Sequence, residues 1–295
     1  MKKAMLLFNP LAGAVKKQRI GADDAIGAIR AAGYEPELLT IEKGANVKAS
    51  VQAALGLGCR LFVACGGDGT VSAVAAALKD SDGVLAILPA GTRNNIARSC
   101  GIPEELEQAA SVLNAGRKAM IDMGMVKCGN QATAPFLELV SVGLASALTP
   151  PGDAARHGEL VGVKDFLYTL FSSEPADIRV TIDNGETLRH NGFVVVVTNM
   201  PYTGLSFQMG PAFCQRDGLL NVTHFADLTK LDLLKYISTG IRPEKREDPR
   251  ICHRLAATVS ISTDPPMPVM ADGEVIGNTP MFAEIHRRVL AMIVP

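Results

Sequence analysis

The fold of this chain is decided by residues 61–70, which read LFVACGGDGT. Four apolar residues and a cysteine predict a buried strand, and the three glycines that follow within four positions predict a tight turn. Residues 71–78 then predict an alanine-rich helix. A strand, a glycine turn and a helix aim backbone N–H groups at an anion, so this stretch favours a phosphate-binding turn. For the glycines alone, an ordinary strand-to-helix turn is the alternative.

The carboxylate of Asp68 distinguishes this turn from a simple phosphate cradle. A carboxylate repels phosphate unless a cation lies between them, so we predict that Asp68 faces a metal ion. Thr70 is placed either to cap the following helix or to contact a phosphate.

The composition sets limits on the class of protein. The 295 residues allow one large or two ordinary domains, and the 47% of apolar residues suffice for a core. The net charge of −1 argues against nucleic acid as the main partner. No apolar run is long enough to span a bilayer and no secretory signal is evident, while the six cysteines are scattered. We therefore expect a cytoplasmic protein with reduced thiols.

Strands and helices alternate in the N-terminal part. We predict strands at residues 4–8, 35–41, 61–65 and 84–88, and helices at 16–32, 46–55, 71–78, 94–99 and 104–114. Alternation of this kind predicts a doubly wound α/β domain with a parallel sheet, whose ligands lie outside the carboxyl ends of the strands. Because Asn9, Gly66–Thr70 and Gly91–Asn95 all follow strands, we expect them to form one pocket.

The pattern changes near residue 120. We predict strands at residues 120–126, 136–144, 178–182, 193–198, 219–225, 257–262 and 283–294. These predict an antiparallel β-sandwich-like domain with helical insertions at 158–172 and 229–241. The expected domains are residues 1–118 and 119–286, and the final strand at about 287–295 is a candidate to return to the first. The insertion at 158–172 is strongly apolar, which fits a core helix or, alternatively, the wall of a lipid pocket.

Six segments in this order resemble the diacylglycerol kinase catalytic-domain family, bacterial lipid kinases related to sphingosine and ceramide kinases. They are Asn9-Pro10-Leu11-Ala12-Gly13, Gly66–Thr70, Pro89-Ala90-Gly91-Thr92-Arg93-Asn94-Asn95, Asn199-Met200-Pro201-Tyr202-Thr203-Gly204, Pro211 with Asp217-Gly218-Leu219-Leu220, and Asp272-Gly273-Glu274. The resemblance covers nearly the whole chain. The glycine-aspartate motif by itself is shared with NAD kinases and phosphofructokinases, whereas the set of six is specific.

The resemblance implies a kinase that uses ATP and Mg²⁺ to phosphorylate a lipid hydroxyl, such as that of diacylglycerol. Phosphoryl transfer needs a phosphate cradle, a cation and a base near the attacking hydroxyl. The implied nucleotide site comprises Asn9, Pro10, Ala12, Gly13, Thr40, Gly66, Gly67, Asp68, Gly69, Thr70, Thr92 and Asn94. It also implies a structural magnesium site at Asp217, Leu219 and Cys214.

The late acidic motif supplies the candidate base. In an extended segment, Asp272 and Glu274 would point to the same face, because side chains alternate along a strand. The resemblance places the proton acceptor in this motif; Glu274 is our first choice and Asp272 the second. From the residues alone, a surface hairpin turn is the alternative interpretation of Asp-Gly-Glu.

One position departs from the family pattern. Asn95 stands where the family usually has an acidic residue, and an amide can neither act as a base nor supply charge to a metal. The substitution weakens the prediction of a carboxylate network with Asp217 and Glu274, and of diacylglycerol itself as substrate.

The implied partners are a lipid with a free hydroxyl and, transiently, the inner face of a membrane; a homodimer is a candidate assembly. Two other functions stay open at this stage. An NAD kinase fits the glycine-aspartate motif, but the residues after Thr92 are polar where that family is apolar. A non-catalytic nucleotide- or lipid-binding regulator fits Asn95, but Asp68, Asp272 and Glu274 argue against it.

Overall fold

The computed structural model describes residues 2–16, 20–144, 168, 170–183, 185–203, 207–208, 214–239 and 248–295. The chain divides into two compact units. Unit 1 comprises Met1–Asp122 and Arg287–Pro295, and unit 2 comprises Met123–His286.

The sheet of unit 1 is parallel and follows the predicted strands closely. Its strands are β1 (Lys2–Phe8), β2 (Tyr34–Thr40), β3 (Leu61–Gly66) and β4 (Val84–Pro89). The order is β2-β1-β3-β4, and the end of the last strand of the chain, β18 (Met281–Val294), runs parallel to β4. All six residues of β3 are buried, as expected for a central strand with helices on both faces.

In the described part of unit 1, six helices connect or follow these strands. They are α1 (Gly13–Lys16), α2 (Ala22–Ala31), α3 (Val47–Gly56), α4 (Asp68–Leu78), α5 (Asn95–Ser99) and α6 (Leu106–Ala115). The prediction of one helix from residue 16 to 32 is wrong at its start. The helix α2 begins only at Ala22, because the Asp24 carboxylate accepts a hydrogen bond from the Gly21 N–H at 2.7 Å and caps it there.

The carboxyl ends of the four strands lie along one edge of the sheet. Phe8, at the end of β1, is in register with Thr40 on one side and Cys65 on the other. Gly66 is in register with Pro89. The loops that begin with Asn9, Gly67 and Ala90 therefore start side by side, which is the arrangement that the alternating pattern predicts.

Unit 2 consists mainly of β-strands. The strand β5 (Arg117–Cys128) begins in unit 1 and ends in unit 2. The strands that follow it are β6 (Ala134–Phe136), β7 (Leu139–Gly143), β8 (Ala176–Ile182), β9 (Glu186–Gly192), β10 (Val194–Thr198), β11 (Tyr202–Thr203), β12 (Phe207–Gln208), β13 (Leu220–Phe225), β14 (Ile251–Ala256), β15 (Thr258–Asp264), β16 (Pro268–Ala271) and β17 (Glu274–Asn278). A 3₁₀ turn covers Cys214–Arg216 and the helix α7 covers Lys230–Thr239.

Two antiparallel sheets enclose the core of unit 2. One has the order β14-β13-β10-β7-β16-β17, and the other joins β9, β8, β15 and the first residues of β18. Val195, Val197 and Val222 of the first sheet share a buried cluster with Ile178 and Val180 of the second. The predicted fold class, an α/β domain followed by an antiparallel β-sandwich-like domain, is confirmed.

Several strand predictions in unit 2 need correction. The predicted strand at 136–144 is two strands, β6 and β7, separated at Leu137–Glu138. The strands β9, β11, β12, β14, β16 and β17 were not predicted. Of these, β11 and β12 have only two residues each, and β9, β14 and β17 lie at sheet edges, where a strand has a neighbour on one side only.

The apolar insertion predicted at 158–172 lies largely outside the described residues. Within it, Leu170 is buried in a small cluster with Phe193, Phe225 and Leu233, whereas Phe171 is half exposed. The Leu170 position therefore fits a core helix rather than a lipid-pocket wall. Within the described parts of the chain, no helix is long and apolar enough to cross a membrane.

Candidate active site

The glycine turn of unit 1 is a sharp junction between β3 and α4. The Gly67 carbonyl accepts hydrogen bonds from the N–H groups of Thr70 at 2.9 Å and Val71 at 3.1 Å, which starts the helix immediately after the strand. A Cβ atom on Gly66 would lie 2.5 Å from the Thr70 Oγ1, so only glycine fits there. The turn therefore leads from a buried strand directly into a helix N-terminus, whose N–H groups favour anions.

Three loops meet at this edge of the sheet. A Cβ atom on Gly91 would lie 2.5 Å from the Gly67 Cα, and the Ala90 N–H donates to the Gly66 carbonyl at 2.9 Å. A Cβ atom on Gly13 would lie 2.3 Å from the Thr92 Oγ1. Larger residues at Gly13 or Gly91 would push the loops apart, so both glycines are required by loop-to-loop packing.

Asn9 ties the first loop to the glycine turn. Its Oδ1 accepts from the Leu11 N–H at 2.9 Å and its Nδ2 donates to the Thr70 Oγ1 at 2.8 Å. The Asn9 carbonyl also accepts from the Ala12 N–H at 3.1 Å, which folds Pro10 and Leu11 into a tight turn. Thr70 is thus held by a side chain of the neighbouring loop.

Asp68 bridges the glycine turn and the loop after β4. Its Oδ1 accepts from the Ile96 N–H at 2.9 Å, at the start of α5. Burial raises the pKa of the Asp68 carboxyl, while the amides of Ile96 and Asn95 and the charge of Arg93 act in the opposite direction. The structure therefore gives Asp68 a role that needs no cation, namely capping α5, while the metal-facing role stays a prediction.

The loop after β4 is ordered by Asn94. This residue adopts a left-handed conformation with φ of 51°, and its Oδ1 accepts from the Gly91 N–H at 2.8 Å. Asn95, at the position that departs from the family pattern, is buried. Thr40 is exposed at the carboxyl end of β2, next to Phe8.

Gly69 differs from the other glycines of the turn. A Cβ atom added there would meet no protein atom within 4 Å, and its backbone is not in the left-handed region. The protein's own packing therefore does not require glycine at this position. A ligand that approaches the N-terminus of α4 closely would require it.

The acidic motif of unit 2 is a hairpin turn. Asp272 and Gly273 both have positive φ, of 43° and 89°, and they connect β16 to β17, where Ala271 is in register with Glu274. Positive φ at both central residues is typical of two-residue hairpin loops. The expectation that an extended segment places Asp272 and Glu274 on one face is therefore wrong.

The two carboxylates of this turn have different surroundings. The Asp272 carboxylate accepts three backbone N–H groups, from Leu137 at 2.7 Å, Glu138 at 2.9 Å and Leu139 at 3.0 Å. Glu274 is exposed to solvent at the start of β17. Of the two, Glu274 is therefore the carboxylate that a substrate could reach.

Asp217 forms a turn of its own before β13. Its Oδ1 accepts from the Leu219 N–H at 2.8 Å, and Gly218 has a positive φ of 74°. The side chain of Cys214 lies outside the described residues. Within the part of the chain that is described, no group of three or more histidine, cysteine or acidic side chains could hold a metal. The oxygen donors at Asp217 and the Leu219 carbonyl are of the type that Mg²⁺ binds, and this ion keeps several waters.

Sequence reasoning missed the partners of Asp272. Leu137–Leu139 belong to no motif, because their contribution is made by backbone amides, which any residue has. The Asn199 Nδ2 donates to the Leu137 carbonyl at 3.0 Å, so Asn199, in the fourth motif, holds the same segment from its other side. The sequence showed the motif that contains Asn199, but it did not show that Asn199 binds the Leu137–Leu139 segment.

Two family models together match most of the chain. The diacylglycerol kinase catalytic domain matches residues 3–126, and the YegS C-terminal NAD kinase beta sandwich-like domain matches residues 141–294.

Curated relatives agree with these matches. A Citrobacter koseri protein named probable lipid kinase YegS-like is 31% identical over 92% of this chain and 90% of that protein. The diacylglycerol kinase of Bacillus subtilis is 27% identical over 98% of this chain and 95% of that protein. An uncharacterized Synechocystis protein is 26% identical over 85% of this chain, which spans only 58% of that protein's length.

Solved structures share the fold. A diacylglycerol kinase from Bacillus anthracis superposes with a TM-score of 0.74 at 21% identity, covering all of this chain and 97% of that one. An NAD kinase from Archaeoglobus fulgidus in complex with ATP gives a TM-score of 0.51 at 12% identity, covering 99% of this chain and 93% of that one.

Proposed function

The chain belongs to the diacylglycerol kinase catalytic-domain family, and on that premise we propose that it is an ATP- and Mg²⁺-dependent kinase that phosphorylates the hydroxyl of a lipid. The substrate class is diacylglycerol-like, meaning a lipid with one free hydroxyl. The enzyme meets it at the inner face of a membrane, from the cytoplasmic side.

The observation that carries this proposal is the contact of three loops around the N-terminus of α4. Asn9 and Gly91 come from two other loops, and each contacts the turn at Gly67–Thr70, Asn9 by a hydrogen bond and Gly91 by van der Waals packing. Phosphoryl transfer depends mainly on positioning and on charge stabilisation, which a rigid turn with oriented N–H groups supplies. The solved NAD kinase that shares this fold contains ATP, which supports ATP as the phosphoryl donor.

Mg²⁺ would supply positive charge to the phosphate oxygens when bound. Asp68 is the candidate contact in unit 1, either direct or through water, and Asp217 with the Leu219 carbonyl is the candidate structural site in unit 2. Glu274 would accept the proton of the lipid hydroxyl as its oxygen attacks the γ-phosphorus of ATP, and ADP would leave.

The function can be tested with γ-³²P-labelled ATP and a total bacterial lipid extract, followed by identification of any labelled lipid. A parallel reaction with NAD in place of lipid tests the NAD kinase alternative. Label in a lipid, dependent on Mg²⁺, supports the proposal. Label in NAD, or nucleotide binding without transfer to any lipid, would contradict it.

We expect Gly69→Ala to weaken ATP binding at least about tenfold without destabilising the protein. The methyl group has free space in the protein itself, so any loss must come from a clash with the ligand. The measurement is ATP affinity by calorimetry, together with a thermal melt.

Gly27→Ala is the matched control for this variant. Gly27 lies inside α2, and a Cβ atom there also meets no atom within 4 Å. It should leave ATP affinity unchanged. Equal affinities for the wild type and the Gly69 variant would show that phosphate does not approach this turn.

A further inference from the structure

The break between β6 and β7 is held by a clasp of three segments, which we define as Asp272, Leu137–Leu139 and Asn199–Met200. The carboxylate of Asp272 receives all three amides of Leu137–Leu139 at 2.7–3.0 Å. From the other side, the Glu138 carbonyl accepts from the Asn199 N–H at 3.0 Å, and the Leu137 carbonyl accepts from the Asn199 Nδ2.

The clasp fixes the hairpin that carries Glu274. The Asp272 N–H donates to the Leu139 carbonyl at 3.0 Å, so both the backbone and the side chain of Asp272 are bound to the same segment. Glu274 is two residues further along, at the first position of β17. Among the described strands, β17 lies at the edge of its sheet and pairs with β16 alone, so the clasp adds a second restraint to the turn.

We propose that Asp272 is a positioning residue, which orients the Glu274 hairpin through the Leu137–Leu139 amides and takes no proton itself. This inference rests on the proposed function for the role of Glu274. A carboxylate that already accepts hydrogen bonds from three N–H groups is poorly placed to take a proton from a substrate. Removal of the whole carboxylate would leave these three amide donors without their acceptor.

Asp272→Asn is the main test, because it replaces the Oδ2 that accepts from the Leu137 N–H with an NH₂ group, which cannot accept. We expect its turnover to fall about ten- to a hundredfold, with the shape of the pH–rate profile retained since the base is still present. Glu274→Gln should instead remove the acidic limb of that profile. Hydrogen exchange should show lost protection of the Leu137 amide in the Asp272 variant but not in the Glu274 variant, because an asparagine Oδ1 still accepts from the Glu138 and Leu139 amides.

Asp183→Asn provides a matched control. Asp183 also has a positive φ in a hairpin turn, and its Oδ1 accepts from the Ala257 and Thr258 amides at 2.9 and 2.8 Å. It should leave turnover near that of the wild type.

Two outcomes would overturn the proposal. One is loss of the acidic limb in the Asp272 variant, and the other is equal turnover in the Asp183 and Asp272 variants. Hydrogen exchange needs no substrate, so it tests the clasp even if no lipid is phosphorylated. Absence of lipid phosphorylation would count against the proposed function only.

A second observation, independent of the first, concerns two histidines inside unit 2. His190 on β9 and His224 on β13 come from different sheets, and their rings lie 4.8 Å apart between centroids. Both are more than nine-tenths buried, at 8% and 5% exposure. In the described part of the chain, none of their four ring nitrogens has a hydrogen-bond partner.

The charged groups around the pair do not offset the effect of burial on the pKa values of the two histidines. Asp177 and Asp227 face His190 and favour its charged form, and Glu186 does so for His224. Arg254, His253 and the other ring oppose protonation of His224. Burial has the largest effect and lowers the pKa of both, that of His224 to about 4.

We infer that this histidine pair is a pH-sensitive latch between the two sheets of unit 2, closed when both rings are neutral and released in acid. The folded protein binds these protons less readily than the unfolded chain, where histidine titrates near 6.5. The latch therefore stabilises unit 2 fully above about pH 6.5, and its contribution is lost as the pH falls toward about 4.

The test compares the wild type with the double variant His190→Phe/His224→Leu. Each histidine that must protonate on unfolding raises the unfolding equilibrium constant about tenfold per pH unit. The readout in urea is the hydrogen exchange of the β9 and β13 amides. We expect the unfolding equilibrium constant of the wild type to rise by up to about a hundredfold for each pH unit below pH 6. The double variant should lose the part of this dependence that the two rings contribute, and His286→Gln, half-buried on β18, should keep it.

Histidine NMR on the wild type keeps the test decisive if the double variant does not fold. Signals of His190 and His224 that remain neutral at pH 5.5 in the folded protein support the latch. Protonation of either ring at pH 6.5 without loss of structure would overturn it. Displacement of both signals by stoichiometric Zn²⁺ at pH 7 would also overturn it, because the pair would then be a metal site.

Discussion

Asp68→Ala should lower turnover by at least about 10²- to 10³-fold while the protein stays folded. Asp68 joins the glycine turn to the start of α5, so its loss removes a hydrogen bond between two loops of the candidate site. It also removes the negative charge that we propose to face Mg²⁺. The measurement is kcat with saturating ATP, Mg²⁺ and the identified lipid.

Asp68→Asn separates the two roles of this side chain. The Oδ1 of asparagine can still accept from the Ile96 N–H, but the charge is gone. If the charge serves a cation, the asparagine variant is as inactive as the alanine variant. If it recovers most of the activity, Asp68 acts only as the cap of α5, and the metal assignment fails. A thermal melt of both variants checks the fold.

Glu274→Gln should lower turnover by about 10²- to 10⁴-fold, the range that a general base contributes. The affinity for ATP should stay within a factor of about two, because the loops of the proposed nucleotide site belong to unit 1 and Glu274 belongs to unit 2. Calorimetry with ATP and steady-state kinetics on the lipid separate the two quantities.

Glu186→Gln is the control for this substitution. Glu186 is also the first residue of an edge strand, just after a hairpin turn, and it is exposed. Its removal costs one surface ion pair with Arg254, which contributes little. If ATP binding collapses in the Glu274 variant, or if both glutamine variants are equally active, Glu274 is not the base.

Local patterns predicted the architecture well where both faces of an element are buried. The strand β3 and the helix α4 were evident from residues 61–78, because an apolar run, a glycine turn and an alanine-rich segment are local signals. The strands β14 and β17 were not, since edge strands bear exposed residues on both faces. Their positions depend on pairing with distant strands, which periodicity does not encode.

The candidate site shows the same division. Asn9, Gly66–Thr70 and Gly91–Asn95 were predicted to share one edge of the sheet, and the parallel register places them there. The finer contacts were not predictable, for example that Gly91 packs on Gly67 and that Asn9 holds Thr70. Such contacts join residues far apart in the chain, and a single sequence carries no signal for which pairs meet.

The sequence alone thus determined the fold class, the family and the residue types of the candidate site, because strand and helix periods and short motifs are local properties. Only the tertiary structure decided what surrounds each carboxylate. It placed Asp272 in a hairpin turn, bound by backbone amides more than 130 residues away, and left Glu274 exposed beside it. Backbone amides are common to every residue, so the partner of a carboxylate is set by the folded chain and not by the letters around it.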